Sequence, residues 1–467
     1  MTTANLSSNQ NPWTVQDSSD LYGLNRWGDH YFSINEHGHI TVNPKGQGNS
    51  SLDLMDLVQE LEGRNLKLPL LIRFDDILED RLTQLHAAFQ KAISQYSYKG
   101  RYQGVFPVKC NQHRHVVEEL LSCGRRWHFG LEAGSKAELL IALSLISDPE
   151  ALLICNGYKD QRYIETTILA RQLGRKPIVV IEQANEVERI ITASQELGAA
   201  PLIGIRAKLS SQSSGRWKNS IGEKAKFGLS IPEILTSIKK LRAANLIDDL
   251  RLLHFHVGSQ INDIAILKDA LQEAGQLYVE LKKLGAPMGH LDVGGGLGID
   301  YDGSQTATEA STNYSLQNYA NDVVATVKEC CEANNIQMPT LISESGRAIA
   351  SHFSVLLFNV LNSSVVPADI PPKKQDEQLT VRNLRETLKS IQAMPEESNV
   401  DSSKLQEAWN DAIKFKDDAL TAFRLGYIGL HERAIAEQLT WACAKALVER
   451  LPKCELIPEE LKTLRSA

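Results

Sequence analysis

The chain has 467 residues, 42% of them hydrophobic and 23% charged, with a formal net charge of -7. That balance allows a sizeable core, and an acidic chain lacks the basic field that attracts nucleic acid or an anionic membrane. No run approaches the ~18 apolar residues of a membrane span, and the opening MTTANLSSNQNPW has neither the basic nor the apolar region of a secretory signal, so a cytoplasmic location is expected.

In chain order, residues 1–20 read as a flexible tail and 21–67 as a β/α lead-in. Within the lead-in, HYFSINEHGHITVNP alternates as strand, turn and strand about His37-Gly38, and SLDLMDLVQELEG has helical spacing. LPLLIRF (68–74) is a further apolar run ahead of a regular rhythm. That rhythm comprises GVFPVK (104–109), WHFGLEA (127–133), ALLICNG (151–157), KPIVVIE (176–182), PLIGIRA (201–207), LRLLHFHVG (250–258), GHLDVGGG (289–296) and TLISESG (340–346). Between them lie segments such as HVVEELLSC and NEVERIITASQELG, with apolar residues at three-and-four spacing. Continuous apolar strands alternating with amphipathic helices imply a parallel sheet covered on its outside. Eight such units predict an α/β chain with a (β/α)8 TIM barrel over 68–358.

After the proline- and charge-rich PADIPPKKQDEQ, the remainder reads as a linker and helical module over 359–467, with amphipathic helices in TVRNLRETLKSIQAM, SSKLQEAWNDAIKFKDDALTAFRLG, LHERAIAEQLTWACAKALVERL and PEELKTLRSA. Seven dispersed cysteines, none in a C-x-x-C pair, read as reduced thiols and carry no zinc signature.

Lys109, Glu132, Asn156, Glu182, Arg206, His256, Gly294 to Gly296 and Glu344 fall at the C-terminal ends of these runs, the barrel face on which active sites are built. For any one of them the plainer reading is that polar residues begin where strands stop. Their convergence is what points to chemistry. Lys109, ending an apolar strand, is a candidate amine nucleophile whose pKa burial lowers. The plainer alternative is a lysine that reaches water or an ion pair. GGGLG (294–298) lets backbone approach a phosphate, although it is not G-x-G-x-x-G, because Ile299 follows. A tight βα turn explains it equally. In ESGR, Glu344 can hold a protonated ring nitrogen and Arg347 can pair with phosphate, or the two can form a local ion pair. His256 in HFHVGSQ can stack on a planar ring or pack as an ordinary histidine; His254 shares its strand face, so phase alone does not choose between them. An imine-forming lysine, a phosphate cradle, a ring-nitrogen carboxylate and a stacking histidine together suit pyridoxal phosphate.

VKCNQ, LEAGSKAEL, ICNGYKD, LHFHVGSQI, DVGGGLGIDYDG and SESGRA closely resemble the biosynthetic arginine decarboxylases, members of the alanine-racemase-like barrel class of pyridoxal-phosphate enzymes. SSGRWKNSIGEKAKFGLS (213–230) and YFSINEHGHITVNP resemble that subfamily too. The resemblance implies decarboxylation of L-arginine to agmatine and carbon dioxide in polyamine synthesis. It implies that Lys109 carries the cofactor imine, that His256 stacks on the ring, and that Ser259, Gly294, Gly295 and Gly296 bind the phosphate with Arg347 nearby. Glu344 then pairs with the ring nitrogen, while Glu132 and Arg206 line the cofactor pocket. Magnesium, at no evident ligand cluster, and a homo-oligomer also follow from the resemblance. The family's long C-terminal portion carries a C-D-S-D-G-like motif that completes the active site; no C-D-x-D-G occurs here. A truncated decarboxylase is therefore expected, with three alternatives open: an inactive cofactor-binding remnant, one half of a split enzyme with a separate C-terminal half, or a related barrel enzyme acting on ornithine or diaminopimelate.

Overall fold

The structure, a computed structural model, describes residues 13–45, 51–210, 226–364, 369–394 and 402–451, together with 461 and 464. Most of the 213–230 loop and of the last expected helix thus lies outside the described residues. The chain divides into two compact units, Met1–Phe358 and Asn359–Ala467.

The first unit opens on a helix, Val15–Tyr22, where a flexible tail is expected. Thr14 and Asp17 explain it: they form a reciprocal capping box that satisfies the first free N–H groups. Strands β1 (Phe32–Ile34), β2 (Ile40–Val42) and β3 (Leu52–Asp53) follow as a small antiparallel sheet. The run at 68–74 becomes β4 (Leu70–Arg73), which pairs antiparallel with β13 (Ser354–Leu357), outside the barrel.

The eight repeated runs form β5 (Val105–Pro107), β6 (Gly130–Ala133), β7 (Leu152–Cys155), β8 (Lys176–Ile181), β9 (Ile203–Arg206), β10 (Leu250–His254), β11 (His290–Asp292) and β12 (Thr340–Ile342). They pair in parallel and in sequence order. Val105 N–H donates to the Ser343 carbonyl at 3.1 Å and Gln103 N–H to that of Leu341 at 3.0 Å, so the first and last strands meet and the barrel closes. The expected (β/α)8 barrel is the observed fold. At four βα junctions a side chain ends the loop and starts the helix: Ser135, Asp160, Asp263 and Ser315 accept from backbone N–H groups of the first turn.

Alternation along the strands sorts the barrel's side chains. Leu131, Leu153, Val179, Ile205, Leu253 and Leu291 pack outward into the main core with the helices. Val105, Leu152, Ile154, Ile178, Val180, Leu252 and Ile342 form a separate apolar cluster, which fills the lumen. In the second unit, helices Leu379–Ala393, Ser402–Arg424 and Leu430–Val448 bury Leu384, Leu388, Leu405, Ala412, Leu439 and Leu447 against one another.

Candidate functional site

The lumen plug sets the floor of the site. Two residues beyond Ile154, Val180, Leu252 and Ile342 come Asn156, Glu182, His254 and Glu344, which the same phase points inward. Glu132 on β6, Arg206 on β9 and Asp292 on β11 share that layer. A cavity of about 500 Å³ opens above it, lined among others by Lys109, Glu132, Asn156, Glu182, Arg206 and His256. Glu344 and His254 reach it from below.

Lys109 does not end a strand. β5 stops at Pro107, which has no N–H for the ladder, and Val108–Cys110 turn in a 3-10 conformation. The turn carries the side chain into the cavity, where Nζ lies 3.1 Å from Glu132 Oε2. Of the two readings of Lys109, this is the ion-paired one. Burial does pull the lysine pKa down, but the Glu132 and Glu344 carboxylates push it further up, so it sits above the ordinary lysine value. The side chain is still 56% exposed, which is what lets it reach a ligand.

The other predicted residues fall into two groups that meet at His256. Its Nδ1 accepts the Gly295 N–H at 3.2 Å. Burial, then the charges of Arg206, His254 and Lys109, hold its imidazole well below the ordinary histidine pKa, so it is neutral. Gly294 and Gly296 take positive φ of 69° and 102°. A Cβ on Gly294 would lie 2.3 Å from the Phe255 carbonyl, and one on Gly296 would lie 2.1 Å from that of Gly258, so only glycine fits this turn. Beside it, Arg347 donates to Ser259 Oγ and to Tyr301 Oη, each at 2.9 Å. Ser259 and Arg347 are thus joined to one another, and the glycine turn is joined to the cavity wall through His256.

Glu344 is buried. Asn156 donates to its Oε1 at 2.6 Å, and its backbone N–H donates to the Gly294 carbonyl at 2.8 Å. Burial, then Asp292 and Glu132, push its pKa well above the carboxylate range. Glu132 is raised by burial against the pull of Lys109. Glu182 ends lowered despite burial, because Arg206 donates to its Oε1 at 3.0 Å.

The sequence reading placed Asn156 and Glu182 at strand ends without giving them a role, and missed Asp292 and Tyr163. Strand phase, counted upward from the apolar plug, is the signal that finds Asn156, Glu182 and Asp292. Tyr163 stands on a helix and donates to the Ala133 carbonyl at 2.9 Å, bracing the end of β6.

These residues fit pyridoxal phosphate. Glu132 Oε1, Asn156 Oδ1 and Glu182 Oε2 are buried without a hydrogen-bond partner, as a polar ligand in the cavity requires. The glycine turn is a cradle that a single Cβ would fill.

Comparison with known proteins agrees. Residues 80–351 match the family model described as "Pyridoxal-dependent decarboxylase, pyridoxal binding domain", and residues 374–465 match "Arginine decarboxylase helical bundle domain". A biosynthetic arginine decarboxylase of Parasynechococcus marenigrum (strain WH8102) is 72% identical over 455 residues, covering 97% of this chain and 71% of the relative. One from Prochlorococcus marinus (strain MIT 9303) is 68% identical over 466 residues, covering 100% of this chain and 72% of the relative. The crystal structure of the biosynthetic arginine decarboxylase of Campylobacter jejuni superposes with a TM-score of 0.75 at 33% identity, over 92% of this chain and 68% of that one. The helical bundle segment lies within this chain. With its barrel, its inward-facing layer and its glycine cradle accounted for, the chain belongs to the biosynthetic arginine decarboxylase family of pyridoxal-dependent decarboxylases.

Proposed function

We propose that the chain catalyses pyridoxal-phosphate-dependent decarboxylation of L-arginine to agmatine and carbon dioxide, a step of polyamine biosynthesis. The observation that carries this is the meeting of Lys109, His256 and Glu344 around one cavity beside a glycine cradle, in a chain 72% identical to a biosynthetic arginine decarboxylase. Ornithine or diaminopimelate as substrate, and a non-catalytic remnant, are not favoured by those relatives.

In this reading Lys109 supplies the primary amine for the cofactor's aldehyde, with its ammonium form stored against Glu132. Ser259 and Arg347 would hold the phosphate through a hydroxyl and a guanidinium, and the Gly294 to Gly296 turn, free of side chains, would let it approach the backbone closely. His256 offers a neutral, flat ring face, fixed at Nδ1 by Gly295. Glu344 faces the ring nitrogen, and Arg206, braced by Glu182, lines the pocket wall. Bound pyridoxal phosphate supplies the sink for the electron pair left on Cα as carbon dioxide departs. A homo-oligomer and a cytoplasmic setting belong to the same reading by family resemblance; no helix among the described residues is long and apolar enough to cross a membrane. Magnesium rests on that resemblance alone. The two histidine–carboxylate groups among the described residues are His39 with Asp53 and Asp56, and His254 with Asp292 and Glu344. Neither offers the oxygen octahedron magnesium prefers, and no step is assigned to it.

The test is release of labelled carbon dioxide from carboxyl-labelled arginine, with ornithine and diaminopimelate in parallel. Turnover on arginine alone is expected; preference for another substrate, or none on arginine, overturns the proposal. Lys109→Ala should lose the imine absorbance on adding pyridoxal phosphate, and a persisting imine band would remove Lys109 from its role.

A further inference from the structure

His254 has no place in the scheme above, yet it is buried within the layer that floors the site. It is 1% exposed, and its neighbour Asp292 is fully buried. The two are paired in register across β10 and β11, so their side chains point the same way. His254 Nδ1 lies 3.1 Å from Asp292 Oδ2 and 3.7 Å from Glu344 Oε1. Asp292's other oxygen, Oδ1, accepts the Gly294 N–H at 2.9 Å. Two acceptors thus flank Nδ1, so Nδ1 carries the hydrogen. Neither contact has hydrogen-bond alignment, which leaves both Nδ1 and Asp292 Oδ2 buried and unsatisfied.

Glu344 has little else to fix it. Asn156 donates to the same oxygen, Oε1, that faces His254. The other carboxylates of the layer, Asp292 and Glu132, repel it. A buried carboxylate among carboxylates drifts or stays protonated unless a donor holds it. His254 Nδ1 faces both the Glu344 and the Asp292 carboxylate, and Asp292 ties the pair to the glycine turn.

We propose that His254 is a positioning residue: its imidazole, anchored by Asp292, holds the Glu344 carboxylate where the cofactor's ring nitrogen meets it. This rests on the reading that Glu344 faces that nitrogen. It makes the phosphate cradle and the ring-nitrogen partner parts of one assembly, running from the Gly294 N–H through Asp292 and His254 to Glu344.

The experiment compares the affinity of the full chain for pyridoxal phosphate with that for an analogue in which the ring nitrogen is replaced by carbon, the aldehyde and phosphate being kept. Wild type should prefer the nitrogen form. His254→Leu should weaken pyridoxal phosphate about tenfold, equivalent to about 1.4 kcal/mol, and leave the analogue within about twofold. His254→Gln, which retains an N–H, should keep most of the preference. A merely structural role for His254 would weaken both ligands alike. Equal losses, or no loss in either, overturn the inference. If His254→Leu does not fold, Asp292→Asn decides: it keeps an oxygen for Gly294 but loses the anchoring charge, and an unchanged nitrogen preference there is equally fatal. A wild type without any preference would instead overturn the reading of Glu344 itself.

Discussion

Glu132→Gln is the sharpest probe of the cavity's electrostatics, because it removes one charge and almost no volume. Glu132 is fully buried and lies 3.1 Å from the Lys109 ammonium. At that separation Coulomb's law gives about 1.3 kcal/mol in a water-like dielectric and about 5 kcal/mol at an effective dielectric of ~20. The 56% exposure of Lys109 places the pair toward the lower end, at about 2 kcal/mol, since solvent screens an open partner. That corresponds to about 1.5 pKa units on the lysine. The sign follows from the charged form. An adjacent carboxylate stabilises the ammonium, so its removal lowers the lysine pKa and frees the amine at lower pH. The pH midpoint for imine formation, followed by absorbance after mixing the chain with pyridoxal phosphate, should therefore fall by about 1–1.5 units in the variant. Glu344 still acts on Lys109, so the midpoint should stay above that of an unpaired buried lysine. A midpoint that does not move would mean Glu132 carries a proton and exerts no field. An upward shift would refute the electrostatic argument outright.

Arg347→Lys keeps the charge but cannot reach Ser259 and Tyr301 together as the planar fork does, so affinity for pyridoxal phosphate should drop about tenfold; phosphate-free pyridoxal, titrated in parallel, should bind unchanged. Lys159→Met strands Glu186, whose carboxylate also accepts N–H groups from Lys159, Glu182 and Gln183, in a wholly buried pair. It should cost about 3–5 kcal/mol in denaturant unfolding, and Glu186→Gln in the same chain should recover part of that loss. At Gly204, inside the lumen, an added Cβ would lie 2.8 Å from Leu252 Cδ2 and 3.1 Å from Val180 Cγ2. Gly204→Ala should therefore overpack the plug and lower stability by about 1–3 kcal/mol, seen as a shifted denaturant midpoint at unchanged slope.

The barrel was legible because its strands are buried on both faces, and such strands read as uninterrupted apolar runs. Their limits were not. WHFGLEA is apolar from Trp127, yet β6 starts only at Gly130, since Gly124–Trp127 belong to a 3-10 turn. GVFPVK reads through to Lys109, but Pro107 ends the ladder. The first helix carried its own signature in Thr14 and Asp17, three residues apart, and was passed over because the surrounding segment is polar. LPLLIRF is strand-like in composition, but its partner Ser354–Leu357 lies some 280 residues away, and no local pattern marks such a pairing.

The site shows the same division more sharply. Which residues face inward follows from parity: Leu252 belongs to the plug, His254 is two residues on, and His256 two more. That spacing assigns His254 to the buried layer and His256 to the cavity wall, a distinction that phase without the plug as a reference level did not make. Charge states obey a different logic. Lysine burial alone argues for a lowered pKa; the ion-paired reading prevails because Glu132 enters from the neighbouring strand and Glu344 from the far end of the chain. Each carboxylate was visible in its own motif, LEAGSKAEL or SESGRA. The barrel's closure between β5 and β12 is what brings Glu344 near enough to Lys109 for its charge to favour the ammonium form.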